Sequence, residues 1–282
     1  MDTSKSILIT GCSTGIGLYT AQELQRRGYQ VLATARKPED VEHLKQLGLS
    51  AYQLDLNDSL SIKNAVIRVL EETNGELYAL FNNAAFGIAG AVEDLSRYAL
   101  REQFETNVFG TQELTNLVLP IMRKQGYGRI IQNSSILGFA AMPYRGAYNS
   151  SKFALEGLSD TLRQELDGTN IHISLIEPGP IISNFRKNAL KAYEKYIDST
   201  NSIHKKNYDN MLNRLNKEGP AAPFTLGPEA VCEKVLHALE AKRPQVRYYV
   251  TKPTYIMGYL KRLLSSRAMD WVLIRAGGGG ER

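Results

Sequence analysis

Lys5-Ser6-Ile7-Leu8-Ile9-Thr10-Gly11-Cys12-Ser13-Thr14-Gly15-Ile16-Gly17 joins an apolar run to a glycine-rich turn, and an amphipathic stretch continues from residue 15 to residue 27. Ile7-Leu8-Ile9 has the length and residue types of a buried strand, and the stretch beyond the turn has the period of a helix. A turn with so few side chains lets the backbone approach a phosphate at the helix N-terminus, where unpaired N–H groups and the helix dipole favour an anion. The spacing is Gly-x-x-x-Gly-x-Gly rather than the common Gly-x-Gly-x-x-Gly. Alone, such a turn serves phosphate binding and simple chain reversal equally well. Its place between a first strand and a first helix favours the phosphate.

The same alternation repeats outward from this turn. Residues 31–33, 52–54, 77–81, 129–131 and 172–176 read as buried strands, and residues 41–47, 60–73, 103–122 and 147–166 as helices. This predicts right-handed βαβ units and an α/β fold of the Rossmann kind, a parallel sheet with helices on both faces in one domain over residues 1–282. After Pro178-Gly179-Pro180 the polar stretch 184–218 predicts a helical insertion above the sheet, spanning residues 181–224. A helix at 228–241 and a strand at 247–250 complete the sheet. Residues 251–282 then form a C-terminal extension with helical pieces at 255–264 and 268–275 and a frayed glycine run at 277–280.

The 282 residues are 43% hydrophobic and 22% charged, which suits a folded chain with a sizeable core. Cys12 and Cys232 lie far apart, so neither a disulfide framework nor a thiolate zinc site is suggested. His43, His172, His204 and His237 show no ligand spacing, and no metal is expected. Met1-Asp2-Thr3-Ser4-Lys5 leads directly into the apolar run, so we expect no secretory leader, and no apolar run is long enough to cross a bilayer. A cytoplasmic location is expected. The net charge of +5 concentrates in residues 186–218 and 242–282, whose lysines and arginines read as a solvated face rather than a nucleic-acid surface.

The second strand is followed by Arg36-Lys37, with no carboxylate before Glu39. An acid at this place would bond a ribose 2′-hydroxyl, whereas a guanidinium accepts a 2′-phosphate. The expected cofactor is therefore NADP(H) in preference to NAD(H), the alternative being a merely solvent-facing Arg36. Asp55, with Leu56 beside it, closes the third strand and can accept from an adenine amino group, or else shape a turn or helix cap with Asn57. Asn82-Asn83-Ala84 follows the fourth strand, where amides can line a cofactor cleft or form a turn.

Tyr148 and Lys152 lie four apart in Tyr-Asn-Ser-Ser-Lys, so on a helix both project from one face. A phenol has a pKa near 10, and a nearby ammonium is expected to lower it by favouring phenolate. In carbonyl reduction a hydride arrives at carbon from the cofactor while Tyr148 gives a proton to oxygen, and alcohol oxidation reverses both steps. Ser135 ends the strand before this helix, where it can bond the substrate oxygen, and Asn107 can hold a water that links Lys152 to solvent. A Tyr-x-x-x-Lys pair by itself is a frequent accident. The ordered set is not.

With Thr10-Gly11-x-x-x-Gly15-x-Gly17, Asp55, Asn82-Asn83-Ala84, Asn107, Ser135, Tyr148-x-x-x-Lys152 and Pro178-Gly179, the chain resembles the short-chain dehydrogenase/reductase family over roughly residues 5–250. The resemblance implies seven parallel strands, an Asn107-Ser135-Tyr148-Lys152 tetrad, and cofactor contacts from Ile181 beside the Pro178-Gly179 turn. It also implies a homodimer or homotetramer formed through helices 103–122 and 147–166. Ala85 stands where the family usually has glycine, and Ser183 where it often has threonine. Within the family, Arg36-Lys37-Pro38, Ser174-Leu175-Ile176-Glu177-Pro178-Gly179-Pro180-Ile181, Phe224-Thr225-Leu226-Gly227-Pro228-Glu229 and residues 247–250 resemble a particular branch. It contains retinol dehydrogenases, 17β-hydroxysteroid dehydrogenases and bacterial broad-range aldehyde reductases.

Leu137, Phe139, Met142 and Tyr144, with Phe86, Ile88 and Phe185, are expected to line an apolar pocket, or else to be core. Lined in this way, the pocket favours apolar aldehydes, retinoids or steroids over sugars. Residues 248–275 mix apolar and basic side chains and can pack on the domain, on a subunit or weakly on a membrane surface. Ser134-Ser135 is not set in Gly-x-Ser-x-Gly, which argues against a hydrolase elbow. Two functions stay in contention, the oxidoreductase and a dinucleotide-binding sensor or scaffold on the same fold. Intact Asn107, Ser135, Tyr148 and Lys152 favour the oxidoreductase, because a sensor needs only the glycine loop and the second strand.

Overall fold

The apolar runs form β1 (Ser6–Ile9), β2 (Gln30–Ala35), β3 (Ser50–Gln53), β4 (Ala79–Asn82), β5 (Gly128–Asn133), β6 (Ile171–Glu177) and β7 (Arg247–Tyr249) in a computed structural model describing residues 5–220 and 222–277. They make one parallel sheet in the order β3-β2-β1-β4-β5-β6-β7. The register puts Leu8 beside Leu32 and Leu80, and Ile9 beside Ala33 and Phe81. Successive side chains point to opposite faces, so an unbroken apolar run makes sense only where both faces are covered.

Both faces are covered. Ile7, Ile9, Val31, Ala33 and Phe81 pack under α1 (Gly15–Arg26), α2 (Pro38–Gln46) and α9 (Glu229–Glu240), through Leu24, Leu44 and Val235 among others. Leu8, Leu32, Leu80 and Ile130 pack on the opposite side against α3 (Ser59–Glu72) and α5 (Thr111–Gln125), through Ile62, Val66, Leu114 and Val118, with α6 (Gly146–Glu165) beside them. Each fully buried aliphatic side chain contributes about 1.5–3 kcal/mol relative to exposure. The sheet is thus held from both sides.

The stretch expected as one helix over 103–122 is instead three pieces. α4 (Arg97–Phe104) passes through a π segment at Glu105–Gly110 before α5 begins. A Cβ on Gly110 would run into the Leu56 carbonyl oxygen, so the widened turn rests against the loop after β3. π segments of one turn are common at functional sites, and Asn107 lies within this one.

The insertion after β6 forms α7 (Phe185–Tyr196) and α8 (Lys205–Asn216), and the C-terminal extension forms α10 (Lys252–Leu263) and α11 (Ser266–Ala276). Met257, Met269 and Leu273 of the extension pack against Ile136, Leu137, Ala140 and Tyr148, so this segment packs on its own domain. Of the glycine run at 277–280, residues 278–280 lie outside the described residues. Among the described residues, no helix is long and apolar enough to cross a membrane. The strand order reverses between β1 and β4, and in open α/β sheets the crevice beyond the carboxyl ends of such strands is where ligands bind.

Candidate active site

The glycine turn sits at that crevice and is shaped by absent side chains. Gly11 and Gly15 adopt φ of +72° and +61°, a region that disfavours residues with a Cβ. A Cβ on Gly17 would meet the Gly11 carbonyl oxygen and lie 2.6 Å from Asn83 Nδ2, and one on Gly11 would lie 2.9 Å from Ala84 Cα. The turn is braced from β4. Thr10 Oγ1 accepts from the backbone N–H groups of Asn83 and Ala84, each at 2.9 Å, and Asn83 Nδ2 donates to the carbonyls of Thr10 and Gly11 at 2.9 and 3.1 Å.

α1 then begins at Gly15 with no side-chain cap from Thr14 and no carboxylate in its first turn. A close backbone approach beside an uncapped helix N-terminus fits the pyrophosphate of a dinucleotide. Ser13, Thr14 and Ile16 complete the turn. A depression of about 410 Å³ opens beside it, lined by Gly15, Leu18, Tyr19, Ile182, Ser183 and Pro228.

The remaining cofactor candidates fall along the same edge. Arg36 is exposed just beyond β2, and among the described residues it makes no ion pair. Asp55 Oδ1 accepts from Asn57 N at 3.0 Å, a turn role, while Leu56 supplies the carbonyl against Gly110. Pro178 and Gly179 follow β6, and a Cβ on Gly179 would collide with Thr251 Oγ1. Ile181 bridges to Leu226, bringing Ser183 over Gly15. Asn82 departs from expectation, because its amide donates to Thr115 Oγ1 on α5 at 3.0 Å. Its neighbour Asn83 faces the turn instead, since alternate residues of a strand point oppositely.

Tyr148 and Lys152 project from one face of α6, both buried, with Nζ 5.7 Å from the phenol ring centroid. Lys152 Nζ donates to the Asn133 carbonyl at 2.7 Å. Asn133 Nδ2 in turn donates to Asn83 Oδ1 at 2.9 Å, so the lysine is tied through two asparagines to the glycine turn. The hydroxyl of Ser135 reaches Tyr148 and also accepts from Leu137 N at 3.1 Å. Asn107 Nδ2 donates to Ser151 Oγ at 3.0 Å and to the Phe86 carbonyl at 2.9 Å, and its Oδ1 accepts from Phe86 N at 3.1 Å. Its side chain thereby clamps residue 86 to α6.

The electrostatics also differ from expectation. Burial pushes the Tyr148 phenol up to about 12, and the Ser135 bond offsets only part of this. Lys152 is brought down to about 8 by the same burial, with the Glu156 carboxylate opposing. Burial therefore dominates the phenol's shift.

The residues expected to line a substrate pocket divide into two groups. Leu137 packs with Tyr148 and the methionines of α10 and α11, and the Phe185 ring stands edge-on to Tyr148 at 5.2 Å. Phe86 instead packs on Tyr196, and Tyr144 on His204 and Tyr208, under the insertion helices. Asn133 and Ser151 were not anticipated. Only the polar run Gln132-Asn133-Ser134 at the end of an apolar strand hinted at the first.

Residues 5–194 match the family described as short chain dehydrogenase. An uncharacterized oxidoreductase of Escherichia coli strain K12, YbbO, is 45% identical over 269 residues, which cover 95% of this chain and 94% of that protein. Human 17-beta-hydroxysteroid dehydrogenase type 1 is 35% identical over 260 residues, 87% of this chain and 77% of that protein. A short-chain dehydrogenase from Streptomyces avermitilis matches in structure with a TM-score of 0.76 at 26% identity, covering 100% of both chains.

Proposed function

We propose that this chain, which belongs to the short-chain dehydrogenase family, is an NADP(H)-dependent enzyme that interconverts carbonyls and alcohols with Tyr148 as its acid and base. Its family makes it an oxidoreductase of CH–OH and C=O groups with a nicotinamide dinucleotide. The observation that carries the finer reading is the buried pair on one face of α6, Tyr148 with Lys152 Nζ 5.7 Å from its ring centroid. Gly11, Gly15 and Gly17 with the start of α1 would hold the pyrophosphate, and Arg36 the 2′-phosphate. When bound, the dinucleotide supplies or accepts the hydride.

In the reducing direction Ser135 and Tyr148 bond the substrate oxygen and Tyr148 Oη gives up its proton. The Lys152 ammonium then stabilises the phenolate left behind, while Asn133 fixes the lysine in place. In oxidation Tyr148 Oη takes the hydroxyl proton instead. The apolar wall of Leu137, Phe185, Met257, Met269 and Leu273 favours an apolar aldehyde, retinoid or steroid-like substrate. Two buried free cysteines accord with a reducing, cytoplasmic setting, and a homodimer or homotetramer remains part of the reading.

An NADPH-oxidation screen over aliphatic, aromatic, retinoid, steroid and sugar carbonyls tests this. We expect turnover with apolar carbonyls and little with sugars. NADPH binding without turnover of any carbonyl would favour a sensor or scaffold instead.

A further inference from the structure

Behind Tyr148 the face of α6 continues with Lys152, Glu156 and Asp160 at intervals of four residues. Glu156 is buried, and Glu177 at the end of β6 is fully buried beside it. Arg247 on β7 binds all three carboxylates. Its Nη2 lies 3.0 Å from Glu156 Oε2 and 2.6 Å from Asp160 Oδ2, and its Nε 3.1 Å from Glu177 Oε1. Even so, both oxygens of Glu177 have no hydrogen-bond donor of good geometry, and Glu156 Oε1 has only the neighbouring Ser134 hydroxyl to accept from. Ionised carboxylates only accept, and two of them side by side in a dry interior repel. One proton between them removes both difficulties.

We propose that Glu156 and Glu177 share one proton under Arg247, and that the single negative charge left on the pair helps keep Lys152 protonated for its work with Tyr148. This rests on the catalytic reading of Tyr148 and Lys152 given above. Glu156 and Glu177 are the buried carboxylates of this cluster, whereas Asp160 is one-third exposed and pairs with both Arg247 and Arg163. Other charged groups facing the set are Arg163, which pairs with Asp160 at 3.2 Å, and Lys261 of α10, which donates to the Phe139 carbonyl. Burial and the adjoining Glu156 raise Glu177 well above the usual carboxylate range, and Glu156 draws Lys152 upward against its own burial. Glu156 and Glu177 are positioning residues, acting through Lys152 and touching no substrate.

Infrared spectroscopy of the full-length protein at neutral pH tests the shared proton without cofactor or turnover. The carbonyl stretch of a buried, neutral carboxylic acid should be present in the wild type and in Tyr148→Phe, and absent in Glu177→Gln. Its absence from the wild type, or its persistence in Glu177→Gln, overturns the shared proton. The link to Lys152 is read from the pH profile of kcat/KM. Glu156→Gln/Glu177→Gln removes the remaining charge, and its alkaline limb should move down by about one pH unit. An unmoved limb in an enzyme that still needs Tyr148 overturns the link and leaves the proposed function standing. A fully active Tyr148→Phe protein would instead overturn that function and leave the infrared result intact.

Discussion

The two sides of the site are built from different materials. On the cofactor side, the turn from Gly11 to Gly17 is shaped by backbone, and its constraints are steric: two positive φ angles and two positions where a Cβ would strike a neighbour. On the proposed substrate side, the apolar residues packed around Tyr148 come from segments far apart in the chain, the loop after β5, the start of α7, and α10 with α11. The first construction tolerates almost no change of residue. The second can be repacked, so one fold can keep its cofactor chemistry while its substrate varies.

The sharpest way to break this comparison is at Gly17. Gly17→Ala adds one methyl group against the Gly11 carbonyl and the Asn83 amide, both held by hydrogen bonds. Overpacking of this kind costs about 1–3 kcal/mol, so dinucleotide affinity should fall by roughly 5-fold to 150-fold in a fluorescence titration. Affinity within twofold of the wild type would mean that the turn is not the cradle described.

Arg36→Ala tests the same side without touching the backbone. A charge-assisted hydrogen bond is worth about 1.5–3 kcal/mol, so the ratio of kcat/KM for NADPH over NADH should drop roughly 10-fold to 100-fold. Binding of NADH should change little.

Legibility followed the same division. The strands could be read from the sequence, the central ones because a sheet buried on both faces demands unbroken apolar runs, whereas α4 ahead of the π segment could not. The glycines, Tyr148, Lys152 and Ser135 were legible because their chemistry depends on residue type and spacing. Which of Asn82 and Asn83 faces the crevice depends on the phase of β4, and that phase is fixed only by the sheet. The π segment around Asn107 ends at Gly110, which packs against Leu56, fifty-four positions away in the chain. Tyr144 and Phe86, read either as pocket lining or as core, are partly buried and pack against the insertion helices. The phenol's rise came from burial, which spacing on a helix does not report.

Lys152 gives a pH test. Its folded value of about 8 lies below the ordinary 10.5, so its charged form is disfavoured by folding. The unfolded chain binds more protons between those values, and this residue's contribution to stability therefore rises with pH through that window. Lys152→Met should be more stable than the wild type below pH 8, by at most about 3 kcal/mol, with the gap closing toward pH 10.5. Chemical denaturation across pH 7–10.5 checks this, and a gap that widens with pH would reverse the sign.

The smallest effect is expected on the substrate side. Met257→Ala should raise KM for a long apolar carbonyl by roughly 10-fold, with kcat for a short aldehyde little changed. An equal loss with both substrates would place Met257 in the general support of Tyr148 rather than in the wall.

The central claim is that Tyr148 moves the proton while other residues hold the cofactor, and Tyr148→Phe separates the two. The removed hydroxyl is the only change, and the ring still packs against Phe185 and Leu137. Single-turnover oxidation of bound NADPH by an apolar aldehyde should slow by roughly 100-fold to 10,000-fold, with NADPH affinity within a few fold of the wild type. A single-turnover rate within tenfold of the wild type, at equal NADPH affinity, would contradict the account.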